Sequence, residues 1–262
     1  MTPAVGPPLR IGCVQYLNAR PLIEGWPGQV SFNHPAALCE DLAVGQLEVA
    51  LVSSFEFLRS PIYSIVDRVS IASDGPVFSV FLAHEVNLDD LHRIEVDPAS
   101  RTSVNLLRCL FEDAGRRTPL TSTALHDDSR LSPKTGRLLI GDQAIRFRQK
   151  YGTAYRYLDL GDQWRQMTDL PFVYALWLIR PEVADAESIA QQLRERRDAN
   201  VLQLEELART QPNFSAEFCH FYWRDCLTFE FGDREKAGLL KFRSLCETHG
   251  ILEPASAPLR VA

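Results

Sequence analysis

Gly12-Cys13-Val14-Gln15-Tyr16-Leu17-Asn18-Ala19-Arg20-Pro21-Leu22 is the stretch that decides how this chain folds. Residues 9–17 form an apolar run that reads as a central strand, and the run breaks at a polar residue instead of entering a glycine-rich phosphate loop. Asn18 brings both a donor and an acceptor to the turn, and Pro21 resets the direction of the chain. Such a corner reads as a pocket wall. From local pattern alone, an asparagine that only closes a turn or caps a helix is an equal reading.

Outward from this corner the same pattern repeats. Residues 35–44 have helical apolar spacing and stop at Gly45, and residues 49–52 read as a second buried strand, ending at Ser53 and Ser54. Residues 64–72 read as a crossing strand and Ser73-Asp74-Gly75-Pro76 as a turn, followed by an extended segment over 77–83 that contains Ser79. A short strand at 93–96 precedes Ser100-Arg101-Thr102-Ser103 and a helix over 104–111, with Ser100 or Thr102 as its cap and Gly115 at its end. Residues 137–140 read as a strand ending at Gly141-Asp142, and 144–151 as a short helix. Residues 155–160 are extended, 161–171 a loop, and 172–179 an apolar strand. The tail has helical stretches at 184–197, 201–210, 215–226 and 233–249, with Gly250 as a terminal cap.

This alternation predicts an α/β protein with mostly parallel sheets and active residues at strand-to-helix corners. If the middle of the chain is inserted into the first unit, one lobe comprises residues 1–86 and 172–262, and the other 87–171.

The composition narrows the function classes. A chain of 262 residues with 45% hydrophobic residues buries a full core in one large domain or two small lobes. A net charge of -6 lacks the positive field of a nonspecific nucleic-acid binder. Six cysteines without a CxxC pair read as buried reduced thiols. Residues 1–10 lack a basic start followed by a long apolar stretch, and no later segment approaches the ~18 apolar residues of a span. The expectation is a cytoplasmic protein without a membrane partner. His34, His84, His92, His126, His220 and His249 are dispersed, and no dinucleotide fingerprint is present, so no metal and no cofactor are expected.

Taken in order, Gly12-x-Val14-x-Tyr16-Leu17-Asn18-x-x-Pro21-Leu22, residues 50–54, 73–77 and 100–106, Ile140-Gly141-Asp142, Asp159-Leu160-Gly161 and residues 172–177 resemble the MqnA family, the chorismate dehydratases of the futalosine route to menaquinone. The resemblance implies a two-lobed, type II periplasmic-binding-protein-like fold with a central cleft. It further implies a carbon–oxygen lyase that converts chorismate to 3-[(1-carboxyvinyl)oxy]benzoate and water, with chorismate as the small-molecule partner and no cofactor. Asn18 is then the catalytic candidate, orienting the departing hydroxyl or a substrate carboxylate. An amide is a poor base near neutrality, so a substrate carboxylate is the candidate for removing the ring proton.

The candidate substrate contacts are Tyr16, Ser53, Ser54, Ser79, Ser100, Thr102, Ser103, Asn105 and Asp142. Each keeps a structural alternative. Ser53 or Ser54 serves equally as a helix cap, Asp142 as the holder of a helix start, and Arg101 as a solvated side chain or an interlobe ion pair. Ser73, Asp74 and Gly75 read as shaping the passage between lobes, with Asp74 accepting local backbone bonds; Asp159 and Gly161 read as a structural corner. Phe172, Tyr174 and Trp177 line a ring-binding wall or pack the core. Two competing functions are an MqnD-like 1,4-dihydroxy-6-naphthoate synthase and a non-catalytic small-anion binding module.

Overall fold

The computed structural model describes residues 8–97, 100–123, 129–254 and 258–262. Its ten strands are β1 (Ile11–Cys13), β2 (Val30–Phe32), β3 (Val49–Ser53), β4 (Ser64–Ser73), β5 (Val80–His84), β6 (Arg93–Val96), β7 (Leu120–Ser122), β8 (Thr135–Ile140), β9 (Arg156–Asp159) and β10 (Phe172–Ile179). The α-helices are α1 (Arg20–Ile23), α2 (Pro35–Ala43), α3 (Ser54–Arg59), α4 (Arg101–Asp113), α5 (Gly141–Tyr151), α6 (Leu160–Thr168), α7 (Ala186–Val201), α8 (Leu204–Arg209), α9 (Ala216–Phe221) and α10 (Asp233–Thr248).

The strands form two five-stranded sheets, ordered β2-β1-β3-β10-β4 and β7-β6-β8-β5-β9. Each sheet is mixed rather than mostly parallel. β1 pairs in parallel with β2 and β3, and β6 with β7 and β8. β10 is antiparallel to β3 and β4, and β5 to β8 and β9. The antiparallel strands follow from the crossings: β4 passes directly into β5 without a helix, and β10 returns from the other sheet.

That passage also shifts the division expected at residue 86. Val80–His84 hydrogen-bonds to β8 and β9, so the chain has already entered the second sheet by residue 80. The tail packs back on the first sheet: α7 lies against α1 and β4, α10 against β10 and α4, and Thr228 bridges to Ala72.

The two crossings are tied at Asp159. Its carboxylate accepts from the backbone N–H of Val77 at 3.0 Å and Phe78 at 2.8 Å on one crossing, and of Gly161 and Asp162 on the other. This Asp159 cap starts α6 where the sequence suggested a loop, and the buried Trp164 holds that helix to the core. Gly161 is required by space, because a Cβ there would stand 2.5 Å from the Gly75 carbonyl oxygen. Asp74 turns outward to pair with Arg165 and Arg234 instead of bonding local backbone.

Apolar patterning explains the rest. β3 and β10 are buried along nearly their whole length, the signature of strands covered on both faces. All six cysteines are free and buried. Among the described residues, no helix is long and apolar enough to cross a membrane, and no cluster of three or more His, Cys, Asp or Glu forms a metal cage. His126 lies outside the described residues.

Candidate functional site

Four strands that run into helical turns deliver their corners to one cleft between the sheets: β1 into Asn18, β3 into α3, β6 into α4 and β8 into α5. Residues beyond the carboxyl ends of such strands are where α/β sheets bind ligands, because the helix starts there carry backbone N–H groups without intrahelical partners. About 650 Å³ of space, part of it open to solvent, lies between these corners. Val14, Leu51, Val52, Ile71, Val80 and Leu227 supply apolar wall, while Asn18, Ser53, Ser79 and the start of α4 supply polar groups.

Asn18 stands on a short 3₁₀ turn, Leu17–Ala19, with its amide oxygen buried and, among the described residues, without a hydrogen-bond partner. A buried amide oxygen normally has a donor, so this one is open to a ligand. The turn itself is held from two sides. Leu17 N–H donates to Asp142 Oδ1 at 2.8 Å, and the Trp223 indole donates to the Leu17 carbonyl at 2.8 Å.

Tyr16 lines the cleft with its ring against Gly141, whose φ of +58° is a left-handed conformation that a side chain would strain. Burial pushes the Tyr16 phenol up to about 12, with Asp97 and Asp142 adding to the shift, so it is a neutral donor near pH 7.

Ser53 and Thr102 meet by a short hydroxyl–hydroxyl hydrogen bond, and Thr102 Oγ1 also accepts from Phe55 N–H at 3.2 Å. Thr102 therefore links the starts of α3 and α4 from its place within α4. The capping position is Ser100, whose side chain makes no capping bond among the described residues, so the first turn of α4 has N–H groups suited to a ligand. Ser100, Thr102 and Ser103 all line the cleft, as does Ser79. The Ser79 hydroxyl meets that of Tyr222 at 2.6 Å.

Three expected contacts stand elsewhere. Ser54 is fully buried and donates to the Val173 carbonyl at 2.7 Å, which fixes the start of α3 to β10. Asn105 lies one turn along α4 and accepts from Arg108. Asp142 lies outside the cleft lining and acts on the site through Leu17; desolvation raises its pKa above the ordinary carboxylate value, against the lowering effect of the Leu17 N–H.

Of the aromatic wall candidates, Tyr174 lines the cleft, whereas Trp177 is fully buried and Phe172 packs against Trp164 and Phe242.

Arg101 resolves as an ion pair between elements that also reaches the cleft. Its guanidinium lies 3.0 Å from Glu56 Oε2, and Arg59 lies 2.6 Å from Oε1 of the same fully buried carboxylate. Glu56 was invisible as a site component in sequence, since it sits in a short helix whose only local signal is the Glu56–Arg59 spacing. Tyr222 and Trp223 were missed for the same reason, being more than 140 residues from the groups they touch.

A model of the menaquinone-biosynthesis family matches residues 9–248. The chain belongs to that family. A family relative, the chorismate dehydratase of Thermus thermophilus, is 32% identical over 225 residues, covering 78% of this chain and 82% of the relative. The chorismate dehydratase of Campylobacter jejuni is 24% identical over 239 residues, covering 88% and 91%.

Solved structures place this family member among the periplasmic-binding-protein-like folds. The aliphatic sulphonate binding protein of Escherichia coli superposes with a TM-score of 0.64 at 16% identity, covering 97% of this chain and 91% of that one. A protein from Archaeoglobus fulgidus superposes with a TM-score of 0.69 at 18% identity, covering 93% and 98%.

Proposed function

We propose that the protein dehydrates chorismate to 3-[(1-carboxyvinyl)oxy]benzoate. The observation that carries this reading is the unpartnered Asn18 amide oxygen in a cleft that also holds the uncapped start of a 13-residue helix. Family membership and the two chorismate dehydratase relatives support it.

The reaction removes the hydrogen from the ring carbon that bears the enolpyruvyl ether and the hydroxyl from the adjacent carbon. Negative charge developing on the ring spreads through the neighbouring double bond toward the ring carboxylate. Donors around that carboxylate stabilise the charge, and the α4 N-terminus with Ser103 is suited to the task. Asn18 orients the departing hydroxyl, its amide oxygen accepting a hydrogen bond from the hydroxyl in the ground state. A carboxylate of the substrate takes the ring proton, and the electron pair left on the ring drives out the adjacent hydroxyl as the ring becomes aromatic. The new carboxyl group returns its proton to that leaving oxygen, giving one water. The reaction is assigned to the cytoplasm on the sequence pattern alone.

The test is a proton NMR time course of the purified protein with chorismate. Growth of 3-substituted benzoate signals is the expected result. Saturable binding with no product from folded protein would instead favour an anion-binding module. Product from cyclic dehypoxanthinyl futalosine, with none from chorismate, would favour the naphthoate synthase reaction.

A further inference from the structure

The tail beyond β10 reads in sequence as helical packing without site residues, yet it sends two consecutive side chains to two corners of the cleft. α9 ends in a π-helical turn, Tyr222–Cys226, a geometry that recurs at functional sites. From this turn Trp223 reaches the Leu17 carbonyl beside Asn18, and Tyr222 reaches Ser79 on the crossing between the sheets. Both tail side chains are buried, and Ser79 lines the cleft.

The Tyr222–Ser79 hydrogen bond has a direction that the surroundings dictate. Among the described residues, Ser79 Oγ is the hydrogen-bond partner of the fully buried Tyr222 hydroxyl. A phenol O–H left without an acceptor in a dry interior carries a desolvation cost, so Tyr222 donates and Ser79 Oγ accepts. Burial holds the phenol protonated, well above its ordinary pKa, so the donor persists across the working pH range. The Ser79 backbone is also fixed, its carbonyl accepting from Gly141 N–H at 2.8 Å. The remaining freedom of Ser79 is the direction of its own proton. With one lone pair engaged by Tyr222, that proton points away from the tail.

We infer that Tyr222 is a positioning residue of this site, orienting the Ser79 hydroxyl so that Ser79 donates to an oxygen of the bound anionic substrate. The inference rests on the chorismate reading above and extends it to a part of the chain with no motif. A purely structural Tyr222 would act through its ring, which stacks on Phe218 at 5.9 Å between centroids and an interplanar angle of 9°. Phenylalanine keeps that ring and removes only the hydroxyl.

The experiment is steady-state chorismate turnover and thermal melting for wild type, Tyr222→Phe, Ser79→Ala and the double variant. The expected result is a melting temperature for Tyr222→Phe close to wild type and a fall in kcat/KM of about tenfold, seen mainly as a higher KM. The double variant should be no worse than Ser79→Ala, since Tyr222 acts through that hydroxyl. Unchanged kinetics in Tyr222→Phe, or losses that multiply in the double variant, overturn the inference while leaving the chorismate reading intact. If Ser79→Ala does not fold, the KM of Tyr222→Phe alone decides. Folded wild type that leaves chorismate unchanged overturns the parent reading and this inference together.

Discussion

Asp142 Oδ1 accepts the backbone N–H of Leu17 at 2.8 Å, joining the start of α5 in one lobe to the Asn18 corner of the other. The contact couples the geometry of the cleft to the approach of the two sheets. It also places a carboxylate where burial raises its pKa.

For a carboxyl whose folded pKa is raised, stability is fully present below the unfolded value of 3.8 and falls as pH rises through the folded value. Ionised Asp142 is therefore a liability near neutral pH. Asp142→Asn keeps an acceptor oxygen for Leu17 and removes the charge. The variant should melt at or above the wild-type temperature at pH 7, and its advantage should shrink as pH falls toward 4. Melting curves across pH 4 to 8 check this; a variant less stable than wild type at pH 7 would show that the charge itself holds the corner.

Asn18→Ala separates fold from function. The Asn18 amide oxygen has no partner among the described residues, so its removal costs no oxygen-mediated hydrogen bond with them. Stability should stay within about 1 kcal/mol of wild type while turnover falls by about 100-fold or more. Urea unfolding beside the NMR assay reads both quantities, and full activity in the variant would remove Asn18 from the mechanism.

Glu56→Ala should do the opposite. It strips a fully buried carboxylate from Arg59 and Arg101, leaving two guanidinium groups without their anion. Both arginines are partly exposed and regain water, so the loss should be about 2 kcal/mol, below the cost of breaking a wholly buried pair. With Arg101 released at the cleft, KM should also rise. Denaturant unfolding and a substrate titration measure the two effects, and Glu56→Gln should recover part of the stability.

Gly141→Ala tests the seat of Tyr16. The backbone there is left-handed, and a new Cβ would stand 3.1 Å from the Tyr16 ring. The conformation alone should cost about 1 kcal/mol, and displacement of Tyr16 should weaken substrate binding. Calorimetric melting together with a ligand titration gives both numbers; unchanged affinity would show that Tyr16 borders the cleft without shaping it.

Local chemistry wrote much of this protein into its sequence. The apolar runs of β1 and β3 and the polar breaks after them marked the corners at Asn18 and Ser53, because burial on both faces demands a continuous hydrophobic strand. Ser100, Thr102 and Ser103 were legible as a helix start for similar reasons. α6 was hidden, since its cap is Asp159 and its anchor Trp164, residues that pattern alone assigns to a strand end and a loop. Which polar corner faces a ligand was also beyond local pattern. Ser54 and Ser53 are neighbours, yet one bonds the Val173 carbonyl and the other lines the cleft. Asp142 and Glu56 act through Leu17 and Arg101, and Tyr222 reaches Ser79 from 143 positions away. Periodicity and turn chemistry act over a few residues and are determined by the sequence itself. Long-range hydrogen bonds and ion pairs depend on how two sheets and a tail close on one another, and only the tertiary structure decides them.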